Sequence, residues 1–174
     1  ILHVYSDKDE FANAHKVNEI YRRAGLERWA VTAEECFNIE PALKRSNSLI
    51  GGFYNTSDYT GDIHKFCIEL EKVLEIKYGV KYNHGRLDDI STLEGPVIVC
   101  AGIGSRQLAK TVGDNLPIYP VKGYSITINV PEPDTAPWVS MLDDKAKIVT
   151  ARLGKDRLRV AGTAEFTGYN TDIK

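Results

Sequence analysis

Cysteine is scarce in this 174-residue chain: Cys36, Cys67 and Cys100 are the whole supply. They lie far apart, match no zinc spacing and, being odd in number, give no disulfide framework. A reducing, cytoplasmic-type compartment is the expectation that follows. Charge of one sign is lacking too. Lys and Arg number 22 and Asp and Glu 24, for a net charge of -2, so no field draws nucleic acid as a partner. No apolar run approaches the roughly 20 residues a membrane-crossing helix needs. The four histidines, His3, His15, His64 and His84, never pair at metal spacing. No metal is expected, and all four read as structural or solvent-facing. No His or Cys nucleophile motif stands out, and there is no internal repeat, low-complexity tract or flexible linker. The opening ILHVYSDKDE lacks a signal-peptide layout. It begins on strand-like residues without an initiating Met, which leads us to expect a piece of a longer protein.

What is present is the composition of a globular chain, 43% hydrophobic and 26% charged, long enough to bury a core unaided. Ile1–Tyr5 reads as a strand. Asp7, with Glu10 three residues on, opens a helix whose apolar positions are Phe11, Ala14, Val17, Tyr21 and Ala24, and Gly25 stops it. Thr32 with Glu35 forms a second capping box, for a short helix that Pro41 ends. Ile50–Tyr54 is a strand that starts with a glycine pair, and residues 55–62 are a polar turn. The clearest helix runs from Asp62 to Tyr78, with Ile63, Phe66, Cys67, Leu70, Val73 and Leu74 on one stripe and Gly79 as its stop. Val80–Tyr82 reads as a strand.

Val97–Ala101 is a continuous apolar run, the pattern of a strand covered on both faces. Gly102 and Gly104 follow, then a helix of about two turns from Ser105. After Pro120 the character changes. Tyr124, Ile126, Ile128 and Val130 alternate with polar residues as a half-exposed strand, which Pro131 and Pro133 break. Trp138–Leu142, Lys147–Arg152 and Arg157–Gly162 read as three further strands, joined by hairpin-type DDK and LGKD. The fold class is therefore mixed, α+β with an α/β part: an antiparallel sheet with flanking helices, plus a partial Rossmann-like segment. Residues 1–61 and 119–174 form one discontinuous domain around the α/β segment 62–118.

The Cys100–Ser105 turn has chemistry within reach. Small residues leave room for a ligand to approach the backbone, glycines permit positive φ, and a helix start favours negative charge. Yet the third glycine of the dinucleotide fingerprint is absent, and no acidic residue ends a second strand. On its own the pattern fits either a nucleotide contact or a plain tight turn.

The segments VIVCAGIGSRQLAK, LPIYPVKGYS and KIVTARLGKDRLRVAGTAEFTGYN, with GGFYNTSDYTGDIHKF upstream, resemble flavin-dependent D-amino-acid dehydrogenases of the D-amino-acid oxidase-like superfamily. That superfamily includes glycine oxidase and sarcosine oxidase. The likeness covers most of residues 49–170. It implies FAD as cofactor and oxidation of a D-amino acid to a 2-oxo acid and ammonia, by hydride transfer from Cα to the flavin. It implies a substrate-binding (cap) role for 1–61 and 119–174 and a partial FAD-binding role for 62–118. Cys100, Ala101, Gly102 and Gly104 match the part that lines the adenosine side of the flavin. Lys122, Gly123 and Tyr124 match the crossing strand, and Tyr124, Lys147 and Glu165, with Thr163 beside the last, fall near the expected substrate pocket. Arg152, Arg157 and Arg159 are expected at the surface, because the family's carboxylate-binding arginine belongs to a segment not seen here. The family's opening GxGxxG unit is not seen either.

The resemblance leaves the electron acceptor open between oxygen and a quinone, and places the complete protein in the cytoplasm, peripheral to the inner membrane if the acceptor is a membrane quinone. An isolated fragment is expected to expose apolar surface and self-associate. Two other readings stand beside this one: a non-catalytic interaction module, and a relative acting on glycine or an N-methyl amino acid.

Overall fold

The computed structural model describes residues 1–132 and 136–173; the strand-breaking role read for Pro133 lies outside them. The chain divides into two compact units, one formed by Ile1–Phe66 with Gly123–Thr163 and the other by Cys67–Lys122 with Ala164–Lys174. Residues 164–174, grouped with the sheet on sequence grounds, thus cluster with the second unit.

The first unit is built on a seven-stranded mixed sheet. Its strands are β1 (Leu2–Tyr5), β2 (Arg28–Thr32), β3 (Gly51–Asn55), β4 (Lys122–Asn129), β5 (Met141–Asp143), β6 (Ile148–Leu153) and β7 (Arg157–Glu165), in the order β2-β3-β1-β5-β6-β7-β4. β1 pairs in parallel with β5, while β2/β3, β1/β3, β5/β6 and β6/β7 are antiparallel.

Helix α1 (Lys8–Arg23) starts where Asp7 Oδ1 accepts the Asp9 and Glu10 amides at 3.0 and 3.1 Å, and Gly25 follows at φ +84°. Helix α2 (Ala33–Ile39) carries the full capping box between Thr32 and Glu35. These two helices pack on β3 from opposite sides, and the glycine pair is what admits them. A Cβ on Gly51 would sit 2.9 Å from the Phe11 ring of α1, and one on Gly52 would sit 3.0 Å from Cys36 Sγ of α2 and 2.5 Å from the His3 carbonyl. Because neighbouring strand residues face opposite ways, the pair brings one helix to each face. Phe53 lies in an aromatic cluster with Tyr5, Phe11 and His15, and Phe53 and Leu2 are fully buried.

A buried carboxylate ties the connection into β5. Glu40, 2% exposed, accepts the Ala42 amide on Oε1 at 2.9 Å and the Trp138 and Val139 amides on Oε2 at 2.8 and 2.9 Å. The strand expected over Trp138–Leu142 is accordingly shorter, Met141–Asp143. The Trp138 and Val139 N–H groups are taken by a side chain rather than a sheet neighbour. Asp62 caps helix α3 (Ile63–Tyr78) through the Lys65 amide at 3.2 Å and accepts Arg157 Nη2 at 2.6 Å. Those bonds hold its carboxyl below the usual range, the backbone bond first.

The second unit holds the rest of α3, a 3₁₀ turn at Gly102–Gly104 and helix α4 (Ser105–Lys110). Two expected strands are absent from it. Val80–Tyr82 and Val97–Ala101 form no ladder, and Ile98 is 88% exposed. The reason is physical. A run covered on both faces exists as a strand only when neighbours take its amides and carbonyls, and no described strand of this unit lies beside it. The α3 stripe forms as a helix, yet Phe66, Leu70 and Val73 remain exposed.

Candidate functional site

The glycine turn lies in the second unit. Cys100, Ala101, Gly102 and Gly104 are all exposed, not the buried strand end that the apolar run suggested. Gly102 takes φ +55°, and nothing lies within 4 Å of where its Cβ would stand. The Ala101 amide donates to Ser105 Oγ at 3.1 Å, which closes the turn. An open depression of about 500 Å³ borders it, lined by Gly104, Arg106, Lys110 and Tyr169 among others. A bare glycine backbone beside two cations is the donor set that an approaching phosphate-bearing cofactor would meet, so the residues present fit contact with FAD.

Glu165 is half-buried and faces Lys122, whose Nζ stands 3.5 Å from Oε2. Lys122 also donates to the Asp172 carbonyl at 2.6 Å. Tyr124 is half-buried on β4.

Lys147 lies at the β5–β6 turn, where Asp143 Oδ1 accepts the Lys145 and Ala146 amides. Its φ is +55°, and Thr163, one step beyond the Ile148–Gly162 pair on β7, has φ +61°. A β-branched residue in this region costs about 1–3 kcal/mol, and such strain gathers at functional positions. Gly162 lies between them: a Cβ there would meet the Lys147 carbonyl at 2.7 Å.

Lys147 also edges a cavity of about 340 Å³ within the first unit, between α1 and β1. His3, Tyr5, Arg28 and Asp144 line it with Lys147. The Tyr5 hydroxyl donates to Asp144 Oδ2 at 2.6 Å. Arg28 Nη2 reaches the Tyr5 oxygen at 3.4 Å, and His3 Nδ1 stands 3.7 Å from Asp144. Burial first, then the bond to Asp144, pushes the Tyr5 phenol up to about 12. Burial and then the Arg28 cation push His3 below its usual value.

The cavity brings together Lys147 and four groups that sequence reasoning missed. One signal was available: His3 and Tyr5 alternate on β1 and so share a face. Arg28 and Asp144 carried none. Tyr124 is not among the cavity residues. Arg152, expected at the surface, is 8% exposed. Its guanidinium lies over the Trp138 ring, 4.3 Å from the centroid, and donates to the Ala136 and Lys155 carbonyls. A planar cation that satisfies a hairpin's carbonyls is buried for structural reasons. Arg157 pairs with Asp62 and Arg159 with Ser125.

These features sit in a recognisable family. The model of the FAD-dependent oxidoreductase family matches residues 1–174, and the chain belongs to that family. Its relatives are narrower in name. D-amino acid dehydrogenase 3 of Mesorhizobium japonicum is 48% identical over 195 aligned residues, covering 100% of this chain and 47% of that protein. D-amino acid dehydrogenase of Paramagnetospirillum magneticum is 42% identical over 187 residues, 98% of this chain and 44% of that protein. The chain thus spans about half the length of the curated relatives it matches. Among solved structures, glycine oxidase from Geobacillus kaustophilus superposes with a TM-score of 0.84 at 18% identity, over 99% of this chain and 49% of that one. L-proline dehydrogenase from P. horikoshii gives 0.77 at 16%, over 97% of this chain and 50% of that one. At such identities the likeness is one of fold, and it bears out a mixed α/β architecture.

Proposed function

We propose that this chain is the substrate-side part of an FAD-dependent D-amino-acid dehydrogenase, which converts a D-amino acid and water to a 2-oxo acid and ammonia while an acceptor takes two electrons. The observation that carries the reading is the 48% identity to a D-amino acid dehydrogenase along the whole chain. FAD, when bound, supplies the hydride acceptor. The chain's own residues have other tasks. The exposed backbone at Gly102 and Gly104, with Cys100 and Ala101 leading in, offers a face for the adenosine side of the cofactor. The sheet-bearing unit offers the substrate side: Lys147 holds charge at the edge of its cavity, and Tyr124 on β4 is a second substrate-contact candidate; Glu165 is the substrate-contact candidate of the second unit. Thr163 and Gly162 fix the backbone from which Lys147 projects. The work required of such residues is positioning, keeping Cα–H aligned with the hydride acceptor. The acceptor beyond the flavin is a quinone or oxygen.

The test is anaerobic mixing of the intact, flavin-loaded protein with D-alanine and a panel of other D-amino acids. Bleaching of the oxidised flavin absorbance, with stoichiometric 2-oxo acid, is expected. A flavin that no D-amino acid bleaches would overturn the reading.

A further inference from the structure

The register of β4 against β7 fixes which way Glu165 ought to point, and Glu165 points the other way. The two strands are neighbours in the sheet. At one end the Val130 amide donates to the Asp156 carbonyl at 2.6 Å. At the other, a Cβ on Gly123 would lie 3.8 Å from the Thr163 carbonyl. Each strand takes seven steps between those points, so the register is one to one as far as Thr163. Arg159 Nη2 donates to Ser125 Oγ at 2.7 Å, which puts these two side chains on one face. Side chains alternate along a strand. Lys122, three steps from Ser125, therefore takes the opposite face, and an unbroken β7 would turn Glu165, six steps from Arg159, to the face of Ser125. Yet within the second unit Glu165 Oε2 stands 3.5 Å from Lys122 Nζ, with both side chains 19% exposed.

The alternation is thus reversed between Arg159 and Glu165, and the backbone shows where. Thr163, at φ +61°, is the one residue of Arg157–Glu165 with a positive φ. A left-handed residue inside a strand makes a bulge, one residue more than the partner strand has, and a slip of one residue exchanges the faces. Glycine takes such a step freely, whereas a β-branched residue resists it. The Thr163 side chain is exposed, so burial of the threonine does not impose the conformation. We propose that Thr163 is a positioning residue, whose left-handed step turns Glu165 to the Lys122 face of β7 and so sets the direction in which Glu165 meets substrate. Lys122, fixed in turn by its bond to the Asp172 carbonyl at 2.6 Å, holds the carboxylate there. The substrate contact of Glu165 rests on the functional reading above; the step rests on strand geometry alone.

The experiment uses the intact, flavin-loaded protein and two readouts. One is the coupling of Lys122→Met with Glu165→Gln in the melting midpoint, from a double-mutant cycle. The other is KM for D-alanine. Glu165→Gln should raise it about tenfold, the worth of one charge-assisted hydrogen bond, and change kcat less. Thr163→Gly keeps the left-handed step, so the coupling and the tenfold effect of Glu165→Gln should both persist in it. Deletion of Thr163 removes the extra residue and leaves Glu165 opposite Lys122 on a straight strand, so both should persist there too. Thr163→Pro holds φ at about −65° and forbids the step. It should abolish the coupling and raise KM about tenfold by itself, and Glu165→Gln should then add nothing. Effects of Thr163→Pro and Glu165→Gln that multiply, or a coupling that survives Thr163→Pro, would overturn the inference. If Thr163→Pro fails to fold, loss of the coupling in the deletion variant would overturn it as well. A flavin that no D-amino acid bleaches sinks the dehydrogenase reading alone, because the coupling is read without turnover.

Discussion

Glu40 offers the sharpest test of how the first unit is held together. Its carboxylate is almost completely buried and takes three backbone amides, those of Ala42, Trp138 and Val139. The last two lie about a hundred residues away in sequence, so this one side chain fixes the approach to β5. Glu40→Ala leaves three N–H groups without an acceptor. An unsatisfied buried donor costs about 1–3 kcal/mol, so even with one rescued by water the loss should be about 3 kcal/mol. Glu40→Gln keeps the shape and one acceptor oxygen. It can serve the Trp138 and Val139 pair or the Ala42 amide, not both, and its NH₂ then confronts a donor, so about half the loss is expected. Because the two units need not unfold together, the reading should be local: native-state hydrogen exchange at Trp138 and Val139 in the intact protein. Exchange should quicken by about two orders of magnitude in Glu40→Ala and about one in Glu40→Gln, at about 1.4 kcal/mol per factor of ten. Unchanged exchange at both amides in Glu40→Ala would refute the reasoning.

Gly52→Ala should lower the melting temperature more than Gly61→Ala, because its Cβ would meet the His3 carbonyl at 2.5 Å while that of Gly61 meets nothing within 4 Å; equal melting temperatures would count against the close packing. The His3 value is depressed in the fold, so the unfolded chain takes up the proton first. Stability should therefore be full above the unfolded value of 6.5 and decline as pH falls below it. The slope between pH 6.5 and 5 should flatten in His3→Gln, as followed by denaturant titration. The isolated 174-residue polypeptide should leave a desalting column without FAD, and its 97–100 amides, which have no ladder partner among the described residues, should exchange at nearly intrinsic rates; a yellow eluate or protected amides would contradict an uncovered second unit.

What the sequence made legible was local. The Asp7 cap, the Thr32–Glu35 box and the stops at Gly25 and Gly79 depend on residues within one helical turn of each other, and each is found where the sequence put it. The alternation from Tyr124 to Val130, which falls on β4 (Lys122–Asn129) but for its last residue, and the LGKD hairpin are likewise short-range. The cavity was not legible, because Tyr5 and Asp144 are separated by 139 positions and nothing near either announces the other. Arg152 misled for a related reason. Beside two arginines on the same hairpin it reads as another surface cation, and only the Trp138 ring and the carbonyls across the turn make its burial favourable. Val97–Ala101 failed differently. Its composition speaks of neighbours, and a strand cannot be formed by one segment's preferences.

The same dependence on neighbours separates the two units of this chain. Among the described residues, burial in the second unit is confined to Ser105, Ala109 and Pro120. Three small side chains remove too little surface from water to offset the ordering of more than fifty residues. The exposed stripe of α3 and the apolar run 97–101 are thus surfaces written for covering, in a chain that spans about half of its relatives' length. Geometry in that unit reports the backbone's availability to a cofactor and little more, so the flavin assignment there leans on family membership. The first unit differs, because its core closes on Leu2, Phe53, Cys36 and Glu40. The strained Lys147 and Thr163, and Arg28 over its two aromatic rings, are held by contacts complete within it. The chemistry these residues can perform is therefore readable from this unit, whatever covers the other.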